Sequence, residues 1–191
     1  MMETRFALAC AAAALLSPLA LADWQVGPGS QVQFVSIKNN TIGEVSHFET
    51  LAGTVTGTGE IEVRVALDSV ETNIGIRNER MKTMLFKVGL YPEAVITAQL
   101  EPGSMAALSS GGLTNVVLQI DLHGQTVTKE AQLNVVVTEE GVSATTTQPI
   151  LLTASEFGLE GGVAALQKVA GLTAISRVVP VTVALQLVPT Y

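Results

Sequence analysis

The sequence predicts a mostly β domain: an extended antiparallel barrel of about eight strands with one or two short helices. Three observations point there. Apolar residues recur with a period of two through several long stretches. Glycine or proline punctuates the chain between many of those stretches. Only two segments break the period in favour of helical spacing. Eight strands suffice to close a barrel whose interior holds side chains or one small ligand. Closure also removes exposed strand edges, a hazard in so valine-rich a chain.

Taken in order, the chain opens with Arg5 in a polar head, then the apolar run FALACAAAALL, broken by Ser17-Pro18. Ala20-Leu21-Ala22 follows as a small-residue cleavage site before Asp23. These are the parts of a secretory signal peptide, so residues 1–22 are expected to be cleaved and 23–191 to form one domain. A spanning helix needs about 20 apolar residues, more than this run supplies. The lone cysteine, Cys10, falls in the signal segment, so the mature chain is expected to carry no thiol and no disulfide. Export with no thiol fits a bacterial periplasm.

Strands are predicted at 31–38 and 49–57. EIEVRVAL follows, with Ile61, Val63, Val65 and Leu67 on one face and Glu60, Glu62 and Arg64 on the other. A strand at 94–101 comes next. TNVVLQIDLH aligns Val116, Leu118, Ile120 and Leu122, and AQLNVVVT aligns Ala131, Leu133, Val135 and Val137. Residues 141–152 make another strand, and PVTVALQL closes the series with Val181, Val183, Leu185 and Leu187 on one face. The helical exceptions are about Ile76 to Phe86, where Met81, Met84 and Leu85 share a face, and 155–171, ending at Gly171.

Seventeen acidic against ten basic side chains give a net charge of −7 with no basic cluster. Nucleic-acid binding requires lysine and arginine to displace counterions, so that class is excluded. A membrane-embedded barrel carries two girdles of aromatic residues. This chain has five Phe, two Tyr and one Trp, and Phe6 belongs to the signal segment. Catalysis finds no footing either. A nucleophile needs a neighbouring base and an orienting group. His47 and His123 are the only histidines, and no G-x-S-x-G elbow exists. Two isolated histidines do not make a metal site, which wants three or four ligands at recognisable spacing. No cofactor is expected.

Three long segments then carry a family likeness: GEVSHFETLAGTVTG, LDSVETNIGIRNERM and LFKVGLYPEA, with SEFGL later. Together they resemble the YceI-like family of bacterial periplasmic proteins over nearly the whole mature chain. The resemblance implies a lipocalin-like barrel with a helix near one mouth and a long apolar channel. It implies binding of a long isoprenoid, a quinone or a similar amphiphile, and a possible homodimer, without catalysis. Residue by residue, His47 and Phe48 match the family's His-Phe element. Ser69, Val70 and Thr72 match its Ser-Val-x-Thr turn, Arg77 the arginine opening its helix, and Phe86, Tyr91 and Pro92 the aromatic and Tyr-Pro that follow. Many members have histidine and leucine where this chain has Arg80 and Met81. The family's Gly-x-Thr-Lys element is loosened here to residues 124–129.

The helix is thus expected to cover one barrel mouth. Met81, Met84 and Phe86 would line the upper channel, since methionine adapts to irregular apolar shapes. Arg77 and Arg80 would stay at the rim, where a guanidinium can pair with a carboxylate or phosphate head group. The competing expectation is internal ion pairing, Arg77 with Glu71 or Glu79 and Arg80 with Glu44 or Glu49. His47 and Phe48 complete the candidate ligand-binding set. The alternative function is a barrel filled by its own side chains, acting as an interaction or stress module.

Overall fold

The computed structural model describes residues 23–101 and 110–190. The signal segment predicted for 1–22 lies outside the described residues. Twelve strand segments form a single sheet: β1 (Trp24–Val26), β2 (Gln31–Lys38), β3 (Ile42–Phe48), β4 (Leu51–Val55), β5 (Glu60–Ala66), β6 (Val70–Glu71), β7 (Glu93–Gln99), β8 (Gly112–Leu122), β9 (Gln125–Val137), β10 (Val142–Thr146), β11 (Ile150–Thr153) and β12 (Val178–Pro189). They read as eight strands because four are bent. β1 continues as β2, β3 as β4, β5 as β6 and β10 as β11. Each strand pairs antiparallel with the next, and β12 returns to pair with β1 and β2, closing an eight-stranded barrel.

Three of the four bends fall on neighbouring strands, and hydroxyl side chains bridge the bends. At the first, Ser30 Oγ donates to the Gly27 carbonyl at 2.8 Å and accepts from Gln186 N–H at 2.9 Å. Between the second and third, Ser69 Oγ donates to the Ala66 carbonyl at 2.6 Å and accepts from Thr50 N–H at 3.0 Å. Near the last, Thr146 Oγ1 accepts from Val183 N–H at 3.1 Å. A bend frees backbone groups that a ladder would have paired, and a short side-chain hydroxyl can replace the lost partner. These bends split two predicted strands. Residues 49–57 are the end of a longer bent strand beginning at Ile42, and 141–152 is broken around Pro149.

Alternation places the apolar face inward. Val116, Ile120 and Leu122 of β8 are buried, whereas Val117, Gln119 and Asp121 are exposed. Outward Thr126, Thr128, Glu130, Gln132 and Asn134 of β9 are likewise exposed and polar. An apolar interior is the reverse of the polar lumen of a lipid-embedded barrel. Among the described residues, no helix is long and apolar enough to cross a membrane.

The interior divides into two clusters. One surrounds Phe34, Phe48, Val65, Met81, Leu85, Phe86, Phe157 and Val163. The other packs Val55, Leu100, Val116, Val135, Val142, Ala144 and Leu187 at the opposite end, with Trp24 against it. Helical segments roof the first. α1 (Gly75–Arg80) runs directly into a π-helical turn, Met81–Phe86, and α2 (Glu160–Val169) packs on that turn. Gly162 permits the close approach: a Cβ there would sit 2.9 Å from both Leu85 Cα and the Met84 carbonyl oxygen.

Candidate ligand cavity

Between roof and floor lies a cavity of about 240 Å³. An apolar cavity of roughly 150 Å³ already stays dry and admits benzene, so this one is large enough for an organic guest. Its walls are the inward positions of the strands, such as Val63 and Val65 of β5, Leu118 and Ile120 of β8, and Val181 and Val183 of β12. Its roof is Met81, Leu85, Phe86, Phe157, Leu159 and Val163. Among the described residues, the polar residue types in the lining are Thr146 and Thr153 alone. Both hydroxyls are committed, the first to Val183 and the second to the capping box of the turn at Ala154–Phe157. The cavity therefore offers dispersion and hydrophobic burial, with no free polar partner for a buried head group.

Phe48, Met81 and Phe86 are among the residues that line the cavity. Phe48 stands between Phe34, at 5.5 Å between ring centroids, and Phe86, at 5.8 Å, so an aromatic row joins the barrel wall to the roof. Met84 is a correction: it is half-buried and outside the lining, and Leu85 takes its place. The cause is the π-helical turn. A helix closed by i→i+5 bonds aligns residues five apart, so Met81 and Phe86 share a face and Met84 turns away. Ile76, where the helical spacing was expected to begin, is 61% exposed.

His47 also lies outside the lining. It alternates with inward Ser46 and Phe48, and therefore faces outward, opposite Gln33 and Glu71 in the register of the sheet. His123 occupies a two-residue hairpin with Gly124, at φ 56° and 76°, and its ring lies tilted against Tyr91, with centroids 4.3 Å apart and planes at 47°.

Arg77 is used internally, with a different partner from either carboxylate expected. Its Nη1 pairs with Glu44, and its Nη2 donates to the Thr72 carbonyl at 2.6 Å. Glu44 also receives Lys38 Nζ at 2.8 Å. Arg80, for which Glu44 or Glu49 was the expected partner, makes no ion pair among the described residues and is half-buried. Sequence reasoning missed Asn78, which is 7% exposed. Its Oδ1 accepts from Thr72 N–H at 3.0 Å and Thr72 Oγ1 at 2.6 Å, and its Nδ2 donates to Glu71 at 3.0 Å. Glu44, Arg77, Thr72, Asn78 and Glu71 thus form one polar latch fastening α1 to β3 and β6. Most of its buried polar groups are paired, as tolerance of burial requires; Arg77 Nε is the exception, buried without a hydrogen-bond partner.

A second latch holds the Ala154–Phe157 turn. Glu156 accepts from Lys129 Nζ at 2.6 Å and from Thr153 N–H at 2.8 Å. The lysine first, and then the Thr153 contacts, pull its carboxyl down to about 2. Lys38 and Arg77 lower Glu44, and Asn78 and the Asn73 N–H lower Glu71. A carboxyl whose folded value lies below its unfolded one stabilises the fold above the unfolded value. For Glu156 that contribution is complete above about pH 4.5 and is lost as pH falls toward about 2. Glu156→Gln is expected to cost about 1 kcal/mol at neutral pH, after solvent screening, and to flatten thermal stability across that acid window. Melting curves as a function of pH check both; an unchanged acid slope would remove Glu156 from the account.

Among the described residues, no three His, Cys, Asp or Glu side chains gather closely enough to hold a metal ion. Comparison with curated proteins gives no match. The YceI-like domain family matches residues 24–187. A polyisoprenoid-binding domain from Saccharophagus degradans, implicated in plant cell wall breakdown, is 32% identical over 89% of this chain and 99% of its own, with a TM-score of 0.82. BcnA of Burkholderia cenocepacia is similar in fold at 14% identity, covering 82% of this chain and 94% of its own, with a TM-score of 0.61. The YceI protein of Campylobacter jejuni is similar in fold at 11% identity, over 76% and 84% of the two chains, with a TM-score of 0.56. With the barrel, the helical roof and a match across residues 24–187, the chain belongs to the YceI-like family.

Proposed function

We propose that this protein is a periplasmic carrier that holds an isoprenoid lipid, a quinone or a similar amphiphile with its apolar tail inside the barrel. The observation that carries the reading is the roofed cavity, about 240 Å³ in volume and lined by apolar groups. Two further points support it. The YceI-like family is a family of binding proteins, and the Saccharophagus degradans domain is described as binding polyisoprenoid. Each buried methylene contributes about 0.8 kcal/mol, so the tail supplies retention. The head group remains at the roof, since the lining would leave it unpaired. Arg80, half-buried on the roof helix and without an ion-pair partner among the described residues, is the group to meet it. The signal peptide expected at residues 1–22 supports a periplasmic destination, and release of the lipid to another acceptor would give a role in transport, storage or protection under stress.

A cavity of this size weighs against the alternative of a barrel filled by its own side chains. The test is mass spectrometry of protein purified without detergent, first native and then after organic extraction. A released lipid near one per protein supports the carrier. An apo mass that stays unchanged after incubation with isoprenoid lipids returns the filled barrel.

A further inference from the structure

The cavity has a floor. Its lining on β8 consists of Val116, Leu118, Ile120 and Leu122, and on β12 of Val179, Val181, Val183 and Leu185. Beyond these, Leu187 is 3% exposed and packs with Val55, Val135 and Val142, which are 2%, 3% and 1% exposed. Those four side chains belong to four different strands, so the barrel is plugged from several sides below the cavity. Trp24 and Val26 of β1 pack against the same plug.

The depth follows from strand geometry. Four inward positions span six residues, about 20 Å along a strand at ~3.4 Å per residue. A barrel strand is tilted by about 40°, which leaves roughly 15 Å along the axis. An extended chain advances about 1.2 Å per backbone bond, as the three bonds of each residue in a stretched polypeptide do. The cavity therefore accommodates a tail of about a dozen bonds from roof to floor.

We infer that the floor formed by Val55, Val135, Val142 and Leu187 acts as a length stop, so that this protein selects tails of about three isoprene units, or an unbranched chain of similar length, over long polyisoprenoids. The inference rests on the carrier reading above and sharpens it to a ligand class. A longer tail gains nothing from carbons that the floor excludes, because they stay in water at the roof.

The test is a length series of prenols, geraniol, farnesol, geranylgeraniol and solanesol, delivered from cyclodextrin and titrated into the purified protein. Affinity is expected to rise at least about tenfold from geraniol to farnesol, as buried methylenes are added, and then to level off or fall. A continued rise of about tenfold or more to geranylgeraniol and solanesol overturns the length stop and leaves the carrier intact. Binding of none of the four overturns the carrier reading and the length stop with it. Leu187→Ala, which lowers the floor, is expected to move the preference to geranylgeraniol. Should that variant fail to fold, the series on the unaltered protein decides the matter alone.

Discussion

Replacing Phe157 with alanine is expected to cost about 3–5 kcal/mol and to lower the melting temperature by roughly 10 °C. Phe157 is 1% exposed and is the largest of the fully buried side chains. It sits at the end of the Ala154–Phe157 turn, where Gly158 at φ 63° redirects the chain toward α2. The side chain thus roofs the cavity and anchors the turn from which α2 departs. The roof already spans empty space, so neighbours have little to collapse onto, and the full penalty for lost contacts applies. Differential scanning calorimetry reads the effect. A shift of only a degree or two would mean that the roof does not bear on global stability.

Gly53→Ala is expected to cost about 3 kcal/mol or more, by another mechanism. A Cβ at position 53 would lie 2.2 Å from the Glu62 carbonyl oxygen and 2.9 Å from Val63 Cα. Both are backbone atoms of β5, so no rotamer change relieves the clash. β4 and β5 must part, in a pairing that helps close the barrel around β1. Gly43 supplies the control, since its nearest heavy atom would be Val35 Cγ1 at 3.8 Å. Gly43→Ala is expected to stay within about 0.5 kcal/mol of the parent. Denaturant unfolding of the two variants compares them directly, and equal midpoints would remove the close-approach argument.

Period-two alternation made the barrel legible wherever one face is uniformly apolar, as in β5, β8 and β12. It failed where inward positions carry polar side chains. β3 went unmarked because Ser46 faces in at 2% exposure while Val45 faces out at 59%. The first half of β9 was lost because Lys129 interrupts the apolar stripe, its ammonium being committed to Glu156. The roof helix was found, but its facing was shifted at Met84 because α-helical spacing does not hold through a π-helical turn. The latch was the least legible part. Glu44 and Arg77 lie 33 residues apart and meet only once β3 pairs with β6. Asn78 gives no sign in sequence that it is buried. The cavity itself has no sequence signature, because side chains that line a void and side chains that fill a core are the same apolar types.

The barrel interior is the proposed ligand site. Val183→Trp tests it most directly, by placing an indole in the cavity from the middle of β12, with Leu118→Phe as a milder variant from the facing wall. Farnesol uptake, followed by native mass spectrometry on variants whose circular dichroism matches the parent, is the measurement. Uptake is expected to fall roughly tenfold or more for Val183→Trp, as several buried methylenes are displaced. Undiminished uptake by a folded variant would place the ligand outside the cavity and overturn the carrier reading.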